Sequence, residues 1–210
     1  MDFKHISVLL HETVDSLQVR SDGIYVDGTL GGAGHAYAVC EKLSSNGLLV
    51  GIDQDADAIA AATKRLAPFA DRVRIVRDNY VHMGQVLRDL GIEKVDGIYL
   101  DLGVSSYQLD AVERGFTYRE DTRLDMRMDQ AQDLSAETIV NHWSEKRLAE
   151  IFELYGEEPK GLARKHAREI VFNRPWRTTT GLAERLCPKG WHGKHPATKV
   201  FQAIRIVVNE

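Results

Sequence analysis

Three aspartates follow apolar, strand-like runs in the first half of the sequence: Asp53, Asp78 and Asp101. The carboxyl ends of parallel strands meet at one edge of a sheet, where open α/β proteins bind their ligands. A carboxylate accepts several hydrogen bonds, so it suits ribose hydroxyls and amino groups. The spacing therefore predicts a ligand site at one sheet edge.

A glycine-rich turn precedes these aspartates. The apolar run 24–26 ends in Asp27, and glycines follow at positions 28, 31, 32 and 34. Helical spacing of apolar residues begins after Gly34, so the pattern is strand, turn and helix, which brings backbone N–H groups close to a nucleotide-like ligand. The spacing differs from the dinucleotide G-x-G-x-x-G motif and favours an S-adenosylmethionine turn. A tight turn without a ligand is the alternative.

Asp53 lies 19 residues beyond Gly34, close to the ~20-residue offset at which an acid binds ribose hydroxyls in such folds. The alternative is that Asp53 only caps the next helix, although Asp55 is better placed for that. Tyr80 is expected to stack on adenine, with Asp78 near the adenine amino group. Packing of Tyr80 on the following helix is the alternative.

The elements that would position these residues are four strands separated by helices. Apolar runs at 24–26, 48–52, 73–76 and 95–100 predict a parallel, doubly wound sheet, which makes the first part an α/β fold. After residue 106 the pattern becomes helical. Helices are predicted at 135–143, 144–155, 160–172, 178–186 and 196–208, and the charged segment 110–133 is interpreted as an ordered loop anchored by Phe116, Leu124, Met126 and Met128.

Composition limits the class of protein. Apolar residues make up 43% and charged residues 28% of the 210 residues, as in a globular protein with a substantial core. No apolar run reaches the ~20 residues of a membrane span, no signal peptide is recognisable at the N-terminus, and two cysteines make no disulfide framework. A cytoplasmic protein is expected.

Charge is unevenly distributed along the chain. Residues 156–210 hold 11 Lys and Arg against 5 Asp and Glu, so the first 155 residues hold 16 against 26. A basic final third on an acidic body predicts contact with a polyanion, or alternatively a solvated helical face. The basic side chains predicted to contact the phosphates of such a polyanion are Lys160, Arg164, Lys165, Arg168, Arg174 and Arg177.

Seven blocks of sequence stand out along the whole chain. They are 5–12 (HISVLLHE), 27–35 (DGTLGGAGH), 101–110 (DLGVSSYQLD), 113–116 (ERGF), 124–128 (LDMRM), 155–158 (YGEE) and 195–198 (HPAT). Together they resemble the bacterial small-subunit ribosomal RNA cytosine-N4 methyltransferase family, MraW or RsmH. The blocks occur in the family's order, which makes the match specific.

The resemblance implies a Rossmann-like, S-adenosylmethionine-dependent methyltransferase core with an inserted all-helical domain. It implies a core at 1–106, a substrate-recognition insert at 107–195, and a helix at 196–210 returning toward the core. The reaction implied is methylation of N4 of a cytosine in the decoding region of small-subunit ribosomal RNA, free or in the assembled subunit. The cofactor contacts that it implies are Ala33, Gly34, His35, Asp53, Tyr80, Asp101 and Gln108.

Asp101 is the expected catalytic residue, because a carboxylate that accepts the N4–H bond would localise the amine's lone pair. Holding the methionine amino group is its alternative role. The target base must leave its stack, and Tyr107, Phe116 and Trp143 are candidate aromatic platforms. Tyr107 stands where the family commonly has proline.

The family's chain continues beyond the point where this sequence stops. One alternative function is therefore a non-catalytic cofactor- or RNA-binding fragment. The outer edge of the fourth strand is expected to be covered by a longer parent chain or in a homodimer. No metal is expected, because Cys187, His192 and His195 lack a fourth ligand.

Overall fold

The computed structural model describes residues 9–209 apart from 189, 191 and 194. Residues up to Gly103 form one compact unit and residues from Val104 onward form another. We call them the N-terminal unit and the C-terminal unit. The sequence block 5–12 lies partly outside the described residues.

The N-terminal unit alternates helices and strands, as the apolar runs predict. Its elements are α1 Leu10–Ser16, β1 Ile24–Asp27, α2 Gly34–Lys42, β2 Leu48–Asp53, α3 Ala56–Arg65, β3 Val73–Arg77, α4 Met83–Asp89 and β4 Gly97–Tyr99. The last strand is shorter than the predicted 95–100. The four strands are parallel in the order β3-β2-β1-β4, which confirms the α/β class and puts β4 at one edge of this sheet.

Alternating strand residues supply the two faces of the sheet. Tyr25 and Leu49 belong to one apolar cluster with residues of α1, α2 and α3, whereas Val26, Val50 and Ile52 pack with α4 on the other side. All five side chains are essentially inaccessible to solvent. A strand buried on both faces cannot slip in register without exposing its apolar residues, so the strand ends that carry the aspartates are fixed in position.

The C-terminal unit is helical. Its elements are α5 Ser106–Asp110, α6 Ala136–His142, α7 Glu145–Leu154, α8 Lys160–Phe172, α9 Thr179–Leu186 and α10 Ala197–Asn209. One apolar cluster joins the last five of these helices with the preceding loop. The predicted N-caps are confirmed at Ser135, Ser144 and Thr178, whose side chains each accept a backbone N–H from the first turn of the following helix.

The segment between α5 and α6 is ordered by its apolar anchors, as predicted. Phe116, Leu124 and Met126 are buried in the cluster, and Met128 is packed against it. Gly115 has φ +72°, and a Cβ there would stand 2.4 Å from the carbonyl oxygen of Arg123. Glycine is therefore required at this turn for both its conformation and its lack of a side chain.

α7 and α8 form a helical hairpin. They pack on each other and are joined by the short connection 155–159, which favours an antiparallel pair. The Nε of Arg168, late in α8, lies 3.5 Å from a carboxylate oxygen of Glu145 at the start of α7. This contact places the end of α8 beside the beginning of α7.

Candidate functional site

The glycine turn after β1 is tied to both neighbouring strands. The N–H of Gly28 donates to the carbonyl of Tyr99 at 3.1 Å, and the N–H of Leu30 donates to that of Ile52 at 3.0 Å. The turn therefore lies at the carboxyl edge of the sheet, between the ends of β2 and β4. This is where the order of the strands reverses and where ligands bind in such sheets.

Asp53 holds this turn in shape. One carboxylate oxygen accepts the N–H of Gly31 at 2.8 Å and the other accepts the N–H of Asp55 at 2.9 Å. The N-cap of α3 is Asp55 and not Asp53, because the Asp55 side chain accepts the N–H of Asp57 in the first turn of the helix. A carboxylate has about four acceptor positions, so Asp53 keeps capacity for ribose hydroxyls.

The glycines of the turn have different tasks. A Cβ at Gly28 would stand 2.3 Å from the side chain of Leu100, so Gly28 is needed for packing. A Cβ at Gly32 would meet nothing within 4 Å, and one at Gly31, where φ is +49°, would meet only a backbone oxygen at 3.8 Å. Space beside Gly31 and Gly32 lets a ligand approach the backbone closely, so the turn fits an S-adenosylmethionine-type cofactor.

Ala33, Gly34 and His35 form the start of α2. Ala33 is the N-cap with φ +58°, and no side chain caps the helix. The first N–H groups of a helix attract anionic groups, so this end suits the carboxylate of a methionine moiety. His35 is buried, with its ring centroid 6.0 Å from that of Tyr99, which agrees with a role in ordering the turn.

Asp27 is buried beneath the turn. Burial raises the pKa of its carboxyl to about 7, and the charges of Asp53 and Asp101 contribute to the increase, while the N–H of Thr29, 3.0 Å from its carboxylate oxygen, opposes it. The hydroxyl of Tyr99 is buried beside this carboxyl and also opposes the increase in the pKa of Asp27.

Asp101 follows β4 and is exposed. Its backbone N–H donates to the hydroxyl of Thr29 at 2.7 Å, and the N–H of Thr29 is held by Asp27. Thr29 therefore fixes the start of the 101–103 segment against the glycine turn. Sequence reasoning missed Thr29, although a hydroxyl residue within a glycine-rich turn is a recognisable signal.

The cluster after β3 is only partly available to a ligand. Asp78 accepts a hydrogen bond from a ring nitrogen of His82 at 2.8 Å, and this bond lowers the pKa of the Asp78 carboxyl. Tyr80 begins the short 3₁₀ turn Tyr80–His82 and is 37% exposed. The Cβ of Tyr80 lies 3.3 Å from the position that a Cβ at Gly28 would occupy. Tyr80 therefore lies next to the turn and is partly accessible.

Gln108 lies in the C-terminal unit and has a local structural task. Its side-chain oxygen accepts the N–H of Ser105 at 3.0 Å, and the hydroxyl of Ser105 accepts the N–H of Gln108. This capping box stabilises α5. The cofactor contact that the family resemblance implies for Gln108 stays a prediction.

The predicted basic residues differ in their surroundings. Arg177, beyond the end of α8, is exposed. Four others lie on the exposed face of α8, namely Lys160, Arg164, Lys165 and Arg168. Arg174 is only half-exposed, and its guanidinium donates to the carbonyls of Val140 and Trp143 at the end of α6. Burial lowers the pKa of Arg174. The guanidinium of Arg174 is therefore engaged within the C-terminal unit.

The aromatic candidates also differ. Phe116 is buried in the core, so the structure excludes it as a stacking platform. Tyr107 is 46% exposed. Trp143 is half-buried, with the guanidinium carbon of Arg147 3.4 Å from its ring centroid.

Neither a metal site nor a membrane span is found in the part of the chain that the structure describes. There, no three His, Cys, Asp or Glu side chains come together in an arrangement that could hold a metal ion. None of the described helices has the length and apolar character that crossing a bilayer requires.

Comparison with known proteins supplies the family. The chain is 54% identical over its whole length to the ribosomal RNA small subunit methyltransferase H of Lachnospira eligens, of which it covers 68%. It is 55% identical to methyltransferase H 2 of Agathobacter rectalis, and 50% identical to methyltransferase H of Clostridium botulinum strain Loch Maree, and it covers 69% of each. The model of the MraW methylase family matches residues 2–210. This chain belongs to the MraW methylase family.

Proposed function

We propose that this protein transfers a methyl group from S-adenosylmethionine to N4 of a cytosine in the decoding region of small-subunit ribosomal RNA. The observation that carries the proposal is the convergence of Asp27, Asp53 and Asp101 on the glycine turn at one sheet edge. Membership of a methylase family supplies the reaction class. The relatives' names specify ribosomal RNA of the small subunit as the substrate.

The residues of the turn would hold the cofactor. Asp53 would accept its ribose hydroxyls, Tyr80 would stack on its adenine, and the backbone of Ala33, Gly34 and His35 would receive its carboxylate. When bound, S-adenosylmethionine supplies a methyl group on a sulfonium, which an amine nitrogen can attack. The open space beside Gly32 agrees with occupancy of this site.

Asp101 would act on the cytosine. Its exposed carboxylate would accept a hydrogen bond from N4–H, which localises the nitrogen lone pair, and could then take the proton. Because the backbone N–H of Asp101 is held by Thr29, the carboxylate is attached to the same turn that binds the cofactor. Shared anchoring favours the in-line geometry that methyl transfer requires.

An RNA substrate must present an accessible base to the site and have its phosphates bound. A cytosine reaches such a site only when it is unpaired and unstacked. The exposed cations of α8 would contact phosphates of the same RNA. We propose the assembled small subunit as the physiological substrate and the bacterial cytoplasm as the location. A homodimer through the edge of β4 stays a prediction of the sequence.

The test is methyl transfer by the purified chain to small subunits isolated from cells that lack this methylation, and separately to the naked ribosomal RNA. Mass spectrometry of the digested RNA should find N4-methylcytidine. Asp101→Asn should lower the rate by about 10²–10⁴-fold, the usual range for a general base. Asp89→Asn, which changes an exposed acid in α4, is the matched control and should leave the rate unchanged.

Two results would contradict the proposal. Methylation at another atom would show that the assigned reaction is wrong. Binding of S-adenosylmethionine without any N4-methylcytidine on either substrate would favour the non-catalytic fragment instead.

A further inference from the structure

Phe172 is the most exposed large apolar side chain among the described residues. It is the last residue of α8, and 84% of it is exposed. A single exposed apolar residue is ordinary on a protein surface. Whether Phe172 has a binding role must therefore be judged from the residues around it.

Phe172 shares a helix face with cations. Arg168 lies one turn before it and Lys165 two turns before it, about 6 and 10 Å away along the helix axis. Both are exposed, whereas Ala163, Ala167 and Ile170 on the opposite face are buried. The aromatic ring is therefore the end of a basic stripe and not the edge of an apolar patch.

The positive charge of this stripe is only weakly compensated. Lys165 has no ion pair within the described part of the chain, and Arg168 pairs only with Glu145, in an exposed contact of 3.5 Å. Glu169, the acid nearest to Arg168 in sequence, forms an ion pair with Arg185 instead, with 2.9 Å between a guanidinium nitrogen and a carboxylate oxygen. Exposed pairs are weak, so a polyanion can compete for Arg168.

A second combination of a cation and an aromatic ring lies at the same end of the α7–α8 hairpin. The exposed Arg147 stacks on Trp143, and Glu145, between them in sequence, contacts Arg168. Stacking on one face leaves the donors of a guanidinium free at its edges for phosphate oxygens. Arg147 therefore extends the basic surface around Phe172.

We propose that Phe172 is a stacking platform for an unpaired base of the RNA, with Arg147, Lys165 and Arg168 holding the phosphates on either side. Any base offers a ring face to an exposed aromatic side chain, and its phosphates need nearby cations. A second copy of this chain fits less well, because two-fold pairing would bring these cations against themselves. The proposal rests on the proposed function only in taking RNA as the substrate.

The test measures binding of the full chain to a short unstructured RNA and to the same RNA with abasic residues, without cofactor. Phe172→Ala should weaken binding to the intact RNA by about 5- to 150-fold, the range for losing one stacked base. Phe172→Trp should bind like the unchanged protein. Leu154→Ala is the matched control, because Leu154 is a 69% exposed apolar residue at the other end of the hairpin.

Two further measurements separate stacking from charge and from folding. On the abasic RNA, Phe172→Ala should have no effect, and on intact RNA it should leave the salt dependence unchanged. Lys165→Ala should instead reduce the slope of log affinity against log salt by about one. Equal loss on intact and abasic RNA, or a loss with Phe172→Trp as large as with Phe172→Ala, would overturn the proposal.

Other outcomes also count against this surface. Sedimentation showing a dimer that Phe172→Ala dissociates would assign the residue to self-association. Unchanged affinity of Phe172→Ala in a protein that still methylates ribosomal RNA would overturn the stacking platform alone. Failure of the unchanged protein to methylate RNA would instead count against the proposed function.

Discussion

At the scale of single residues, Asp53 combines two tasks. It accepts the N–H groups of Gly31 and Asp55, and it is the acid that we expect to hold the ribose. Burial raises the pKa of its carboxyl, while these two backbone N–H groups lower it. The same side chain therefore shapes the turn, and we propose that it also binds the ligand of the turn.

Replacing Asp53 with Ala should weaken binding of S-adenosylmethionine by about 1.5–3 kcal/mol, because charge-assisted hydrogen bonds to the ribose and to the turn are lost. Calorimetry measures this directly. Asp71→Ala is the control, since Asp71 is exposed and, among the described residues, forms an ion pair only with the adjacent Arg72. An affinity that is unchanged in Asp53→Ala would remove Asp53 from the cofactor site.

Asp27 should make stability depend on pH in the opposite sense to an acid such as Asp78, whose pKa is lowered in the folded protein. Its pKa rises from 3.8 to about 7 on folding, so between these values the folded state binds more protons than the unfolded state. The free energy of unfolding then falls as pH rises, and the contribution is lost in full above pH 7. Asp27→Asn removes the titration but keeps an oxygen for the N–H of Thr29.

Urea unfolding at several pH values measures this contribution. Relative to Asp27→Asn, the unchanged protein should lose about 2–3 kcal/mol of stability between pH 5 and pH 8. Taking the difference between the two proteins cancels the titration of groups that do not interact with Asp27. A difference that is constant across this range would show that Asp27 titrates normally in the folded protein.

At the scale of elements, Arg174 connects the end of α6 to the segment after α8. Its guanidinium donates to the carbonyls of Val140 and Trp143, which belong to the last turn of α6 and to its C-cap. These carbonyls have no partner within the helix. A planar guanidinium can reach two of them at once, and an ammonium group cannot do so with the same geometry.

Arg174→Lys should therefore destabilise the C-terminal unit by about 1–3 kcal/mol, the cost of leaving a partly buried carbonyl unpaired. All three tryptophans of the chain lie beyond residue 104, so tryptophan fluorescence during urea unfolding reports on this unit. Arg177→Lys, an exposed neighbour, is the control and should change stability by less than about 0.5 kcal/mol. Equal stability of both variants would mean that Arg174 is not a structural residue.

At the scale of the whole molecule, the regular elements were predictable because burial imposes a period on the sequence. Strand residues such as Tyr25 and Val26 are apolar because the sheet is covered on both faces, and Ser135 and Ser144 mark helix starts by local chemistry. The glycine turn and its acids were predictable because only certain residues fit such a turn. Periodicity, helix caps and turn residues depend on nearby positions in the chain, so they can be recognised in the sequence.

Long-range tasks were not predictable in the same way. In the sequence, Arg174 looks like one more of the basic residues that begin in α8. Only the fold shows that its guanidinium donates to a carbonyl of α6. The hydroxyl of Thr29 is anchored to a residue 72 positions away. The buried position of Phe116 likewise depends on helices that follow it in the chain. Such partners are set by tertiary packing, which a single sequence does not display.

The position of β1 inside the sheet also has a consequence for synthesis of the chain. β1 pairs with β2 on one side, but its other neighbour, β4, comes about seventy residues later, with Val26 opposite Ile98. A nascent chain therefore carries Asp27 on a strand with one open edge until residue 99 has been added. At roughly 5–20 residues per second this interval lasts several seconds. During that time the turn after β1 lacks the bond between Gly28 and Tyr99, so we expect S-adenosylmethionine to stabilise the N-terminal unit only after β4 has been made.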